Sequence, residues 1–217
     1  MGKVVAIDGP AGSGKGTVAK ILAKECNLVY IDTGAMYRAI AYACIQNNIN
    51  ISEEQKIVEL AKNSKIEFID GNTYLNGVDI SKEIRTMEVT RIVSPISSIV
   101  KLREILVDMQ REMGTKTNMD VIMEGRDITT VVFPNADYKF YLDASIDERT
   151  NRRYKENIEK GINVTKEEIK ENISKRDYND MHKEVGSLTR TEDSIYIDST
   201  NLTIDEVVKK IKEIIEV

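Results

Sequence analysis

Residues 9–17 read GPAGSGKGT, and no other stretch restricts the fold of this chain as much. Four glycines and one lysine stand directly after a short apolar run, KVVAI at 3–7. They precede a segment, 15–26, in which Val18, Ile21, Leu22 and Cys26 recur at helical spacing. The Gly9-x4-Gly14-Lys15 pattern between a strand and a helix is that of a phosphate-binding loop. Glycine lets successive backbone N–H groups turn inward around phosphate oxygens. The helix that follows directs its positive N-terminal end at the same anion. Lys15 supplies a mobile charge for the β- and γ-phosphates. Gly9, Pro10, Ala11, Gly12, Ser13, Gly14, Lys15, Gly16 and Thr17 are therefore the candidate ATP-binding residues. Gly16 occupies the position where a hydroxyl usually follows the lysine, and Thr17 comes next, so Thr17 is the candidate hydroxyl for a magnesium ion. An Asn-Lys-x-Asp guanine reader is missing from the sequence, which argues against a GTPase.

The remainder repeats the same grammar. LVYID (28–32), DVIMEG (120–125), DYKFYLD (137–143) and IYID (195–198) read as short buried strands. Helical patterns lie between them: 33–47, 53–63 behind a Ser52/Gln55 capping box, 88–113 interrupted at Pro95, and 148–160. Thr165 with Glu168 opens another polar helix, and Thr203 with Glu206 caps a last one with Val207, Val208, Ile211, Ile214 and Ile215 inward. IEFIDGNTYLNGVDI (66–80) departs from this pattern, alternating around Asp70-Gly71 and Asn76-Gly77, and predicts a small antiparallel insert. Strands alternating with helices predict an α/β fold, a parallel sheet covered on both faces. Ligands then gather beyond the carboxyl ends of the strands. Asp8, Asp32, Glu124, Asp143 and Asp198 all fall there.

A length of 217 residues suits a single domain, and the net charge of −5 argues against a protein that coats nucleic acid. Cys26 and Cys44 make neither a disulfide framework nor a zinc site, and both read as helix-buried thiols. No run approaches the ~20 apolar residues of a membrane span. The expectation is a cytoplasmic protein that binds neither nucleic acid nor membrane. It is expected to be a monomer, because no long exposed apolar stripe is evident.

Four further segments carry chemistry. DTGAMYR (32–38) runs from a strand end into a helix, with Thr33 and Arg38 able to hold a second anion facing the first. In EVTRIVSPISSIVKLRE (88–104), Ser94 and Arg103 could face one cleft despite Pro95. MEGRDITTVVFP (123–134) turns at Gly125 and presents Arg126 and Asp127 at a strand's carboxyl end, a charged cluster of the kind that marks function. Finally, Arg149, Arg152 and Arg153 share one helix face, and Arg176, Asp180 and Lys183 share another. Arginine suits bidentate phosphate contacts. The lone His182 sits in a polar helix and reads as exposed rather than nucleophilic.

With these residues in place the chain resembles the bacterial cytidylate kinase family, within the phosphate-loop nucleoside monophosphate kinases. The likeness rests on IDGPAGSGKGT, DTGAMYR, EIRTMEV, GRD followed by TVVFP, the RRY and KRD helices, and IDST, and spans nearly the whole chain. It implies a three-layer phosphate-loop kinase fold: a five-stranded parallel sheet, an enlarged acceptor-binding region with the hairpin insert, and a helical lid. The implied organisation is one domain, 1–217. Its core is about 1–35, 86–147 and 190–217; the acceptor-binding region is about 36–85, with the insert at 64–86. The lid is about 148–164, flanked by a helix at 165–185.

The resemblance also implies transfer of the γ-phosphoryl group from Mg-ATP to CMP or dCMP. By position, Ser94, Arg103 and Asp127 would read cytosine, and Asp180 would contact the ribose. Arg38, Arg126 and Arg176 would hold the acceptor phosphate or the moving phosphoryl group, with Thr33 near the acceptor. The lid would contribute Arg149, Arg152 or Arg153, so that Lys15, Arg126, Arg176, Arg152 and Arg153 are the candidate catalytic residues. Lys183, also on the acceptor side, stands where the family has arginine, and Thr129 stands where it has glycine. The alternatives are a kinase for another acceptor (UMP, AMP or shikimate) and a regulator that binds ATP as a switch.

Overall fold

The computed structural model describes residues 2–159 and 161–215. Its frame is a five-stranded, wholly parallel sheet in the order β2-β6-β1-β7-β8. The strands are β1 (Val4–Asp8), β2 (Val29–Asp32), β6 (Val121–Gly125), β7 (Tyr138–Asp143) and β8 (Ile195–Asp198). Successive side chains of a strand point to opposite faces, so a strand covered on both sides must be apolar throughout. In β1 every residue is buried. Val5 and Ile7 pack with α1 (Lys15–Glu25) and α8 (Ile204–Ile215), joined by Ile122, Phe140 and Leu142. Ala6 faces the other way, with Ile31, Met123 and Val107, the last from α5 (Val100–Lys116). Expected and observed strands agree to within a residue at their starts.

A second core lies among α2 (Thr33–Gln46), α3 (Glu54–Lys62), α4 (Met87–Ile96), α5 and the insert, around Met36, Ile40, Ile57, Ile84 and Leu102. The insert is a three-stranded antiparallel sheet of β3 (Ile66–Ile69), β4 (Asn72–Leu75) and β5 (Val78–Asp79). Both of its turns have positive φ at Asp70-Gly71 and Asn76-Gly77, the backbone that tight hairpins demand. Two polar helices, α6 (Ile146–Glu159) and α7 (Lys166–Met181), pack on each other beyond the sheet. The capping boxes at Thr165/Glu168 and Thr203/Glu206 both form.

Three expectations are corrected. Ser52 does not cap α3; its N–H and hydroxyl both bond Asn50 Oδ1, while Glu53 Oε2 accepts the Asn50 N–H. An asparagine two residues upstream out-competes the cap, as short polar side chains do when they bond their own backbone. Pro95 does not break its helix: it sits exposed in the last turn of α4, and the chain breaks only at Ser97–Ile99. The polar helix after β7 begins at Ile146, two residues before 148, and its expected end at Lys160 falls outside the described residues. Cys44 is buried in α2, and Cys26 is buried immediately after α1. Among the described residues no helix is long and apolar enough to cross a membrane.

Phe140, on β7 beside the central strand β1, is fully buried. Phe140→Ala is expected to lower stability by about 3–5 kcal/mol, read as a lower urea midpoint at unchanged m-value.

Candidate active site

The site is set by the side-by-side pairing of β1 and β6, in which Asp8 is in register with Gly125. The phosphate loop leaves β1 and the Arg126-Asp127 segment leaves β6, so both start one strand spacing apart. Gly12 and Gly14 adopt positive φ (79° and 94°), and Gly14 is the N-cap of α1. That conformation suits glycine and curls the loop over the helix N-terminus. Lys15 is buried, donates to the Pro10 carbonyl (3.2 Å) and lies 3.8 Å from Glu124. Burial and the Arg126 guanidinium lower Lys15 to about 8, against the opposing pull of Glu124. Burial and the Asp32 carboxylate raise Glu124. A Cβ at Gly16 would stand 3.1 Å from Glu124 Oε1. A side chain there would press on that carboxylate, which accounts for glycine after the lysine. Thr17 is exposed in the first turn of α1.

Arg149 and Arg152 do not point into the cleft. Arg149 Nη1 donates to the Ala11 carbonyl (3.1 Å) and to Asp177 (2.5 Å). Arg152 donates to the Ser13 carbonyl (3.1 Å) and to the Ser199 carbonyl (2.6 Å). Both therefore brace carbonyls of the phosphate loop. Arg153, one residue on, is half out in solvent and pairs with Glu156 (2.7 Å). Arg38 and Arg176 are each lowered to about 10, first by burial and then by neighbouring guanidinium groups that include Arg126 and Arg153. Arg85 adds to the pressure on Arg38 and lies 3.4 Å from Asp32. Arg38 itself donates to the Ile84 carbonyl (3.3 Å) and Thr90 Oγ1 (3.0 Å). Cations that repel one another in a partly desolvated cleft are held ready for a polyanion. Thr33 closes the cleft floor, its hydroxyl donating to the Glu124 carbonyl (2.8 Å).

Past the arginines a chain of polar contacts runs to a second buried centre. Arg126 Nε donates to Asp180 Oδ2 (2.8 Å), and Lys183 Nζ to Asp180 Oδ1 (3.0 Å). Arg176 Nε is 3.9 Å from the same carboxylate. The surrounding cations hold Asp180 well below the usual carboxylate range despite its burial. Lys183 Nζ also donates to Ser97 Oγ (3.0 Å), and the Ser97 carbonyl accepts Arg103 Nη1 (3.1 Å). Arg103 Nη2 pairs with Asp127, both residues being buried. Arg103 also lies over the Tyr37 ring, 5.5 Å from its centroid. Burial pushes Asp127 up, and the Arg103 guanidinium opposes it. Ser94 is half-buried on α4, its carbonyl accepting Ser97 Oγ (2.9 Å).

Arg85, Ser97 and Gly186 were not among the sequence candidates. Arg85 lies within the EIRT motif, which could have flagged it. Gly186, with φ 67°, presses its backbone on the Arg103–Asp127 pair so closely that a Cβ would overlap both Arg103 Nη2 and Asp127 Oδ2. His182 is exposed and stacks on Tyr178, away from this chemistry.

A parallel sheet with a phosphate loop after its central strand, facing a cleft lined by arginines, defines the class: a phosphate-loop kinase. The fold is shared with a shikimate kinase from Bacteroides thetaiotaomicron (TM-score 0.51, 12% identity, 99% of both chains). It is shared too with an uncharacterized protein from Eubacterium ventriosum ATCC 27560 (TM-score 0.56, 14% identity, 99% of this chain and 98% of that one). Within the class, the sequence model of the cytidylate kinase family matches residues 5–217, and this chain belongs to that family. Its relatives include the cytidylate kinase of Clostridioides difficile (strain 630), 49% identical over 208 residues, 96% of this chain and 95% of the relative. That of Bacillus subtilis (strain 168) is 47% identical over 216 residues, 98% and 96%.

Lys15 must be charged to hold phosphate. ATP affinity of the nucleotide-free chain is therefore expected to fall as pH rises through about 8. Titration calorimetry across that range checks this, and Lys15→Arg, which keeps its charge, should lack the limb.

Proposed function

We propose that the chain transfers the γ-phosphoryl group of ATP to CMP or dCMP, giving ADP and CDP or dCDP, by one direct in-line step. The observation that carries this reading is the cleft itself. A phosphate loop opens onto converging arginines, and beyond them lies a buried Arg103–Asp127 pair. The loop and Lys15 hold the donor phosphates. Arg38, Arg126, Arg176 and Arg153 line the path between the two nucleotides, with Arg85 beside them. Arg149 and Arg152 act from behind the loop. Lys183 and Asp180 meet the sugar side, and a lid of about residues 148–164, flanked by α7, closes over the donor. With two polyanionic substrates, alignment and charge neutralisation are what the protein must supply.

Asp127 and Arg103 suit cytosine. A carboxylate accepts from the 4-amino group, and a guanidinium donates to the ring acceptors. UMP would turn a carbonyl oxygen toward Asp127 instead. Buried groups left unpaired in this way reject an analogue by up to ~10⁴–10⁵. Ser94 lies beside Ser97, within the same polar chain.

Magnesium fits as a partner of the nucleotide. Among the described residues no group of three or more His, Cys, Asp or Glu forms a metal cage. Mg²⁺ characteristically keeps several waters and takes few protein ligands beside substrate phosphates. Thr17, exposed at the start of α1, would hold it. Once bound it neutralises charge on the β- and γ-phosphate oxygens.

The direct test is ADP release from Mg-ATP with CMP, dCMP, UMP, AMP, GMP and shikimate. Turnover with CMP and dCMP is expected; turnover with another acceptor alone would overturn the base assignment. ATP binding without acceptor-dependent ADP release would favour a nucleotide switch. Removing one charge-assisted contact costs ~1.5–3 kcal/mol, so Arg126→Ala is expected to lower kcat by roughly 10- to 150-fold. Asp127→Asn should lower kcat/KM for CMP by a similar factor and narrow the CMP-to-UMP gap. Gly186→Ala should raise the KM for CMP while ATP affinity holds, because the new methyl displaces Arg103 from Asp127.

A further inference from the structure

Asp8 is the last residue of β1, fully buried, and stands immediately before the phosphate loop. Its carboxylate makes no contact with that loop's lysine. It reaches sideways to the segment after β6, where Oδ1 accepts the Ile128 N–H (2.9 Å) and Oδ2 accepts the Thr129 N–H (2.8 Å) and the Thr129 hydroxyl (2.7 Å). These residues follow Arg126 and Asp127 directly and open a short π-type turn, Ile128–Val132. Thr129 is 1% exposed. Any residue at 128 and 129 other than proline would offer the two backbone donors. The hydroxyl is the one donor that depends on which side chain is present.

We infer that Thr129 is a positioning residue: through Asp8 it clasps the loop that carries Arg126 and Asp127 to the entry of the phosphate loop, fixing acceptor against donor. The inference rests on the acceptor roles proposed above for those two residues. It gives Thr129, which departs from the glycine of the family pattern, a physical function. Its hydroxyl bonds the Asp8 carboxylate, and through that carboxylate Thr129 acts on the loop.

The clasp needs Asp8 ionised, since a protonated carboxyl turns one acceptor oxygen into a donor facing N–H and O–H groups. Burial raises Asp8 above the usual carboxylate range, and the Thr129 hydroxyl and the two N–H groups resist that rise. The titratable groups that face it are Asp127, which adds to the rise, and Tyr141 of β7. Removing the hydroxyl lifts Asp8 further, so activity is lost at higher pH than in the wild type. Stability moves with the opposite sign. An acid raised in the folded state binds its proton more tightly there, so ionising it weakens folding as pH climbs from the unfolded value through the folded one. Loss of the hydroxyl therefore destabilises more at mildly alkaline pH than in acid.

The experiment compares wild type with Thr129→Ser, Thr129→Ala and Thr129→Gly, reading kcat/KM for CMP against pH and urea unfolding at acid and mildly alkaline pH. We expect the Ser variant to keep the wild-type profile. The Ala and Gly variants should move the acid limb up by about one pH unit, the scale of one lost hydrogen bond to a charged group. They should also lose more stability at the alkaline pH. Should the Ala variant not fold, the Gly variant, which sets no methyl against the carboxylate, reads the same limb. An acid limb that stays put in the Ala and Gly variants, a stability loss equal at both pH values, or a Ser variant that behaves like Ala would overturn the inference. Failure of the acceptor reading looks different: the wild type would not turn over CMP, while the stability difference between acid and alkaline pH would persist.

Discussion

Everything in this molecule depends on two neighbouring parallel strands ending at the same height. Because β1 and β6 pair in register, with Asp8 opposite Gly125, the phosphate loop and the Arg126-Asp127 segment emerge side by side. Parallel pairing is enforced by helices on both faces, and those helices require the strands to be apolar throughout. Val4 to Ile7 and Val121 to Met123 meet that demand, and the first polar residues, Asp8 and Glu124, come where the sheet ends. Polarity at that edge is therefore forced into the space where ligands gather.

That edge then carries its charges in opposed sets. Arg38, Arg126 and Arg176 press on one another, which costs the empty protein and favours a polyanion. Asp180 offsets part of the repulsion, held ionised by Arg126, Lys183 and Arg176. The chain Arg126–Asp180–Lys183–Ser97–Arg103–Asp127 closes on itself, since Arg126 and Asp127 are adjacent residues. Lysine at 183 makes one contact to Asp180 and one to Ser97, where a guanidinium would favour a planar, bidentate grip. The Arg126 end and the Arg103–Asp127 end of the cleft thus share one polar ring.

Local chemistry was legible in the sequence wherever the backbone itself makes the demand. The glycine-rich loop, the Asp70-Gly71 and Asn76-Gly77 turns and the Thr165 and Thr203 caps all depend on a few adjacent residues, and all formed. The Ser52 cap failed for a local reason too, because Asn50 competed for the same groups. What the sequence hid was long-range. Lys183 meets Ser97 across 86 positions, and nothing in either neighbourhood announces it. The 149/152/153 arginines looked like one face, yet α6 lies against the phosphate loop so that two are tied to its carbonyls and one is not. Thr129 reads as one more loop residue until Asp8, 121 positions away, is seen to accept from it.

The central claim is that adjacent loops bring two nucleotides together so that no enzyme group need carry the phosphoryl in between. The stereochemical course tests this most directly. ATP made chiral at the γ-phosphorus with oxygen isotopes and sulfur is turned over with CMP, and the configuration of the product CDP is determined. A single in-line displacement predicts inversion at phosphorus. Retention would require two displacements through a phosphorylated side chain, and would contradict the account.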